Sequence, residues 1–107
     1  MGITRSDLFT PAQNRLAAMA KVLGHPARIA ILQYLVKRGS CVNGSLVAEL
    51  GLAQATISQH LKELKQAGLI QGTIEGTSIC YCIDPEGWEL LRKELGKLLT
   101  SVSLNCC

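Results

Sequence analysis

The sequence predicts a mainly α-helical fold with one small β-hairpin, arranged as a winged helix-turn-helix. Three observations lead to this prediction: two short helical patterns separated by a glycine, two β-branched runs directly after them, and helix-start signals near both ends of the chain. A helix-turn-helix followed by a two-stranded ribbon is the winged form of the motif. With 107 residues the chain has room for one domain, assigned to residues 1–107.

The helix-turn-helix is predicted at residues 46–67, where a short helix, a tight turn and a longer helix follow one another. Val47 and Leu50 carry the short helix, and Gly51 ends it. The longer helix has apolar residues at i, i+4 and i+7, which place a single stripe toward the core. That stripe consists of Ile57, Leu61 and Leu64.

The remaining positions of the longer helix carry short or amide side chains, with a cation at the far end. Such side chains can reach base edges, and the cation can contact a phosphate. A polar outer face is also common on helices that are merely solvated, so the pattern alone leaves both interpretations open. The residues predicted to contact DNA on this basis are Gln54, Ala55, Ser58, Gln59 and Lys62.

A wing is predicted at residues 70–83, where two β-branched runs meet at Glu75-Gly76. Residues 66–88 contain no lysine or arginine, and phosphates would repel Glu75. We therefore expect the wing to add little to DNA affinity. The net charge of +3 is unevenly distributed: the first 65 residues hold eight basic and three acidic side chains, whereas the rest hold three and five. The basic part contains the longer helix, as phosphate contact requires.

Helices are also predicted near the two ends of the chain, at residues 10–23 and 85–99, with a further helix from Pro26 to Arg38. Thr10 and Asp84 can cap the two terminal helices, each followed by a proline. Their apolar stripes are wider than a monomer core requires, which indicates a homodimer; the alternative is that they only close the monomer core. The predicted interface residues are Leu16, Met19, Leu23, Trp88, Leu91, Leu95 and Leu98.

Several functional classes are not supported by the sequence. No apolar run approaches the roughly 18 residues of a membrane span, and the start of the chain lacks a signal-peptide core, so we expect a cytoplasmic protein without a membrane partner. No paired carboxylates, nucleophile–base spacing or phosphate-binding glycine loop is evident, so neither an enzyme nor an organic cofactor is expected.

Three segments together resemble the ArsR/SmtB family: LGHPARIAILQYL at 23–35, LGLAQATISQHLKELKQAGLI at 50–70 and ICYCIDPEG at 79–87. The resemblance covers residues 12–99. It implies a dimeric α1-α2-α3-α4-β-β-α5 repressor that pairs through its terminal helices. Such a repressor binds an inverted-repeat operator in double-stranded DNA and leaves it on sensing a metal, a metalloid or a thiol-reactive species. The resemblance also adds Thr56 and His60 to the DNA-binding residues. Ala53 stands where the family usually has a capping serine.

Two sensor sites common in such proteins are absent from this sequence. A thiolate pair ahead of the longer helix would fall at Val42 and Gly44, beside Cys41 rather than on it. Residues 84–99 contain no histidine, which excludes the histidine ligands that other members carry on the last helix. The chain has only two histidines: His25, expected to begin a helix, and His60, within the longer helix. A histidine-rich zinc or nickel site is therefore not predicted.

The five cysteines are the remaining candidates for sensing. Cys80 and Cys82 alternate with Ile79, Tyr81 and Ile83, so both thiols lie on one face of a strand. If the bulkier trio faces the core, both thiols lie on the more open side, where soft metals and oxidants can reach them. The alternative is that the cysteines are small core residues packed under the last helix.

The tail at residues 100–107 ends in Cys106 and Cys107. Trivalent arsenic or antimony prefers three sulfurs, which the tail pair and one thiol of the body (Cys41, Cys80 or Cys82) could supply. The leading hypothesis is a homodimeric repressor released by arsenite, antimonite or a soft divalent metal. One alternative keeps the DNA binding but makes the thiols a redox or persulfide switch. Another is a winged-helix protein-interaction module that binds no DNA.

Overall fold

The computed structural model describes residues 6–39, 45–75 and 78–103. A 3-10 turn at Ser6–Leu8 precedes the helices α1 (Pro11–Val22), α2 (Pro26–Arg38), α3 (Ser45–Leu50) and α4 (Gln54–Gln66). These are followed by strands β1 (Ile70–Glu75) and β2 (Ser78–Ile83) and by helix α5 (Pro85–Thr100). The order of elements confirms the predicted winged helix-turn-helix. None of the helices in the described ranges combines the length and apolar character that crossing a lipid bilayer requires.

Local capping explains where the helices begin. The Thr10 hydroxyl accepts a hydrogen bond from the Gln13 N–H at 3.0 Å, while the Gln13 side chain accepts one from the Thr10 N–H at 2.9 Å. Such a reciprocal pair satisfies two backbone donors that the helix itself cannot. His25 begins α2 by accepting from the Ala27 N–H, and Asp84 begins α5 in the same way. The predicted helix starts are therefore confirmed.

The core lies where the helix-turn-helix packs against α2 and the base of the hairpin. Ile57, Leu61 and Leu64 of α4 are all buried, as the stripe predicted. They join buried residues of α2 and β1 in one apolar cluster. Gly51, between α3 and α4, has a φ of 70°, a left-handed conformation that a glycine adopts without strain. This glycine joins the two helices of the helix-turn-helix.

The wing is an antiparallel hairpin in which Ile70 pairs with Ile83 and Glu75 with Ser78. Its two ends differ in environment. Ile70 at the base is 1% exposed, whereas Ile74 is 78% exposed, so the hairpin is anchored at its base and projects from the body. The hairpin confirms the predicted wing.

The predicted accessibility of the two strand thiols is wrong for Cys80, whereas Cys82 is half-buried. Cys80 is buried, and Ile79 beside it is 41% exposed. Tyr81 and Ile83 do pack against the core, as expected. Ile79 lies further from the base, where the apolar face of the strand extends past the core that covers Tyr81 and Ile83. Alternation along a strand therefore identifies its faces but not the length over which each face is covered.

The terminal helices α1 and α5 contact each other within one protomer. Met19 and Leu91, which were predicted to lie in a dimer interface, are buried in the protomer core. Four other predicted interface residues are half-buried and pack against that core: Leu16, Leu23, Trp88 and Leu95. Leu98 is 60% exposed, which leaves its apolar side chain available to a second subunit.

Candidate nucleic-acid interface

One face of α4 presents polar and small side chains to solvent. Because Ile57, Leu61 and Leu64 hold the opposite face in the core, the helix has a fixed inner and outer side. Six of the seven residues predicted to contact DNA are exposed: Gln54, Ala55, Thr56, Ser58, Gln59 and Lys62. The structure thus brings these six side chains together on one accessible surface.

Two of the exposed amides are held by neighbours one turn away. The Gln54 amide donates to the Ser58 hydroxyl at 3.1 Å, and the Gln59 amide donates to the Glu63 carboxylate at 3.0 Å. These i,i+4 contacts limit the rotamers of the amides without burying them. Each amide still has donor and acceptor capacity free for a base edge.

The start of α4 lacks a side-chain cap, as expected from the alanine at that position. Ala53 occupies the N-cap with φ −64° and ψ 148°, and no side chain accepts a hydrogen bond there. The first N–H groups of a helix have no intrahelical partners and carry a partial positive charge. The same groups can therefore face a phosphate if the helix end approaches DNA.

His60 is a correction to the predicted interface. Its side chain is only 7% exposed, so it cannot contact a duplex. Its Nδ1 atom accepts a hydrogen bond from Nε of Arg28 at 3.1 Å, and its ring lies 4.5 Å from that of His25. Burial lowers the pKa of His60 from the ordinary 6.5, and the charges of His25 and Arg28 lower it further. His60 faces inward because α2 packs against that side of α4.

Arg28 is a residue that the sequence analysis missed. Besides its bond to His60, its Nη1 atom donates to the Val22 carbonyl at 3.4 Å, at the end of α1. A single side chain therefore connects α1, α2 and α4. The available signal in the sequence was a cation within the otherwise apolar start of α2, a position where an arginine needs acceptors.

The cysteines are in different states. Cys80 is disulfide-bonded, whereas Cys82 is a free, half-buried thiol whose sulfur accepts from the Gln71 amide at 3.5 Å. The candidate ligands Cys41, Cys106 and Cys107 lie outside the described residues. Within residues 6–39, 45–75 and 78–103, no group of three or more histidine, cysteine or acidic side chains is placed to hold a metal ion.

Comparisons with known proteins agree with this geometry. The model of the bacterial regulatory protein arsR family matches residues 25–71. The HTH-type transcriptional regulator Rv0081 of Mycobacterium tuberculosis is 37% identical over 94 residues, which cover 84% of this chain and 82% of that protein. The biofilm growth-associated repressor of Xylella fastidiosa is 35% identical over 69 residues, covering 64% and 59% of the two chains.

A solved structure extends the similarity to three dimensions. The crystal structure of Rv0081 from M. tuberculosis has a TM-score of 0.65 at 34% identity and covers 87% of this chain and 97% of its own. These proteins are regulators rather than enzymes, which confirms the prediction that the chain is not an enzyme. The chain belongs to the ArsR family and is a DNA-binding transcriptional regulator with a winged helix-turn-helix fold.

Proposed function

We propose that the protein is a homodimeric repressor that binds an inverted-repeat operator through the outer face of α4 and leaves it when its thiols react. The observation that carries the proposal is the division of α4 into a buried apolar stripe and a continuous outer face of six exposed residues. A helix of this build fits the major groove of B-DNA.

The chemistry of the outer face supports separate roles for its residues. Glutamine amides such as those of Gln54 and Gln59 can pair with an adenine edge, and the methyl group of Ala55 can contact that of a thymine. Ser58 can bond to either kind of base. Lys62, one turn beyond Ser58, has the charge and length for a phosphate.

Exposed apolar side chains near both ends of the chain support a dimer. Leu98 and Leu99 on α5 are 60% and 65% exposed, and Val102 follows them at 62%. Leu8 and Phe9, just before α1, are also more than half exposed. Contact between two copies through these residues would remove the apolar surface from water and hold two α4 helices at a fixed spacing.

Selection of binding sites tests this part of the proposal. Reduced protein is mixed with a pool of randomised duplexes, and the retained sequences are determined. We expect an inverted repeat with half-site centres one helical turn apart, about 10 base pairs, and an affinity that falls steeply with salt. Retention without sequence preference, or an affinity insensitive to salt, would contradict operator binding and favour the protein-interaction module.

A thiol-to-disulfide switch is one chemistry for release. Cys80 is disulfide-bonded in this structure, while Cys82, two residues away on the same face of the strand, is a free thiol. Forming a disulfide from two thiols removes two electrons and two protons. A peroxide of the form ROOH can accept them, yielding an alcohol and water. The state of Cys80 is the specific observation that favours this chemistry.

Binding of a thiophilic metalloid or soft metal is the second chemistry. Five cysteines against two histidines favour a ligand set dominated by sulfur. Since the described residues contain no group of three ligands, such a site would need cysteines among Cys41, Cys106 and Cys107. Arsenite or antimonite would then bind the reduced protein and be excluded by disulfide formation.

Release from the selected duplex distinguishes the two chemistries. Reduced protein on DNA is treated in parallel with hydrogen peroxide, arsenite, antimonite or cadmium. If the switch is redox, peroxide releases the DNA and dithiothreitol restores binding. Cys80→Ser should then prevent release, whereas the matched control Cys82→Ser should still be released. If the metalloid is the inducer, arsenite releases the reduced protein, and serine at Cys106 and Cys107 prevents release. Retention under every treatment would contradict thiol control altogether.

A further inference from the structure

A polar cluster lies between α4 and the start of α2, with His60 buried, Arg28 half-buried and His25 exposed. It contains three side chains: His25 and Arg28 at the start of α2, and His60 on the inner side of α4. The rings of His25 and His60 are 4.5 Å apart and tilted by 60°. The bond between Arg28 and His60 joins residues 32 positions apart in the chain. It is thus a tertiary contact between α2 and α4.

The geometry of the Arg28 side chain makes it a link between three helices. Its Nε donates to Nδ1 of His60 at 3.1 Å, and its Nη1 donates to the Val22 carbonyl at 3.4 Å. Among the described residues, no buried side-chain nitrogen or oxygen lacks a hydrogen-bond partner. A change at His60 would therefore remove one of the acceptors of the half-buried Arg28 side chain.

The bond requires a neutral imidazole. To accept from Arg28, Nδ1 of His60 must carry a lone pair, so the ring proton resides on Nε2. Protonation would place a hydrogen on Nδ1, opposite the N–H of a guanidinium that is always charged. The groups that act electrostatically on His60 are Arg28 and His25, and both oppose a positive charge there.

We propose that Arg28 and His60 form a proton-sensitive clasp that positions α4 for DNA, and that acidification opens the clasp and weakens DNA binding. In the open state His60 would be protonated and hydrated, and α4 would lose one of its tertiary bonds to α2. Arg28 and His60 are positioning residues, since neither belongs to the exposed face of α4. This inference rests on the proposed DNA-binding role of that face.

The expected direction distinguishes the clasp from ordinary electrostatics. Protonating histidines and carboxylates adds positive charge, and this normally tightens binding to a polyanion. The clasp predicts that DNA binding weakens on acidification, because the open state takes up the proton. For an open-state histidine with an ordinary pKa, opening becomes favoured by up to about tenfold at pH 5.5 relative to neutral pH.

The test measures the Kd of the full-length protein for its selected duplex at pH 7.5 and pH 5.5, at constant ionic strength. We expect the wild-type Kd to rise about threefold or more on acidification. His60→Gln keeps an acceptor for Arg28 but cannot be protonated, so its Kd should change by less than about 1.5-fold. The chain contains only two histidines. His25→Asn, which keeps a good N-cap residue and the bond between Arg28 and His60, is therefore the matched control, and its Kd should still rise on acidification.

A wild-type Kd that stays constant or falls at pH 5.5 would overturn the clasp, as would an equal loss of affinity in His60→Gln. Nitrogen NMR of the His60 ring supplies a readout that does not depend on DNA. At pH 7.5 it should show a proton on Nε2 and none on Nδ1, and acidification should shift the α4 amide signals in the wild type but not in His60→Gln. If no duplex is selected, the proposed function fails, and the NMR titration alone decides whether the clasp exists.

Discussion

Gly87, in the first turn of α5, lies against the carbonyl group of Gly68, which ends the turn after α4. A Cβ atom added to Gly87 would overlap that oxygen. Nearby, the Asp84 N–H donates to the Leu69 carbonyl at 3.0 Å. The start of α5 is therefore packed backbone to backbone on the turn that follows α4, without an intervening side chain.

Gly87→Ala should destabilise the fold strongly, because the added methyl group meets a backbone atom that cannot rotate away. We expect a loss of about 2–3 kcal/mol or more in the free energy of unfolding, measured by urea denaturation. Gly96→Ala on the same helix is the matched control. A Cβ there has no neighbour within 4 Å, so it should gain about 0.5–1 kcal/mol from helix propensity. Equal effects of the two substitutions would contradict the close approach.

Ala53→Ser should stabilise α4. The backbone at residue 53 is already extended, as an N-cap requires, and lacks only an accepting side chain. We expect a gain of about 1 kcal/mol, seen as a rise of about 4–8 °C in Tm for a domain of this size. Thr10→Ala, which removes the existing cap of α1, should lower the Tm. A Tm of the Ala53→Ser variant at or below that of the wild type would show that the start of α4 is not limited by capping.

Stability should fall in mild acid because of His60. Its pKa is lowered in the folded protein, chiefly by burial, so the unfolded chain binds the proton more readily. The neutral His60 ring therefore makes its full contribution to the free energy of unfolding above the unfolded pKa of about 6.5. That contribution is lost progressively as the pH falls from there toward the folded pKa. Urea denaturation from pH 7.5 to 5.5 should show this loss in the wild type and a flatter profile in His60→Gln. If the wild type and His60→Gln lost stability in parallel, groups other than His60 would be responsible for the loss.

Gln59→Ala and Lys62→Ala should weaken DNA binding in different ways. Loss of a base-reading amide should cost about 1–3 kcal/mol on the selected duplex and relax the preference at one base position. Loss of the lysine should weaken binding to all duplexes alike and reduce the slope of log K against log salt by about 1. Competition titrations over a range of salt concentrations separate the two effects. Identical salt slopes and specificity profiles would contradict the assigned roles.

Introducing charge at the exposed end of α5 should separate the proposed dimer. The double variant Leu98→Glu, Leu99→Glu places two carboxylates on an apolar surface that is more than half exposed in the protomer. We expect it to sediment as a monomer at concentrations where the wild type is a dimer, since buried unpaired charge is costly. Lys93→Glu makes the same change in net charge at another exposed position of α5 and should remain dimeric. A dimeric double variant would exclude this surface as the interface.

The parts of the fold that sequence predicted correctly are those set by local chemistry. Thr10, His25 and Asp84 begin helices because their side chains accept from backbone donors two or three residues away. Such short-range bonds are visible in sequence order. The three-residue stripe of α4 is equally local, because the helical repeat alone fixes its direction.

The errors concern residues whose surroundings come from distant parts of the chain. His60 looks like part of a polar outer face until α2 brings Arg28 and His25 to it. Cys80 was expected on an open side, but it is buried on the face opposite Tyr81. For Cys80 the alternation separated the two faces of the strand correctly, but the depth of packing depends on distant residues; for His60 the outward assignment was itself wrong.

The hairpin has a consequence for how the regulator occupies the chromosome. Its distal part presents the exposed residues Ile74 and Ile79, and residues 66–88 contain no cation. A wing of this kind displaces few counterions, so it adds little attraction toward arbitrary sequences. Discrimination between the correct site and bulk DNA is thereby left to base recognition by the outer face of α4, and the salt dependence of binding should come from cations outside the wing, such as Lys62.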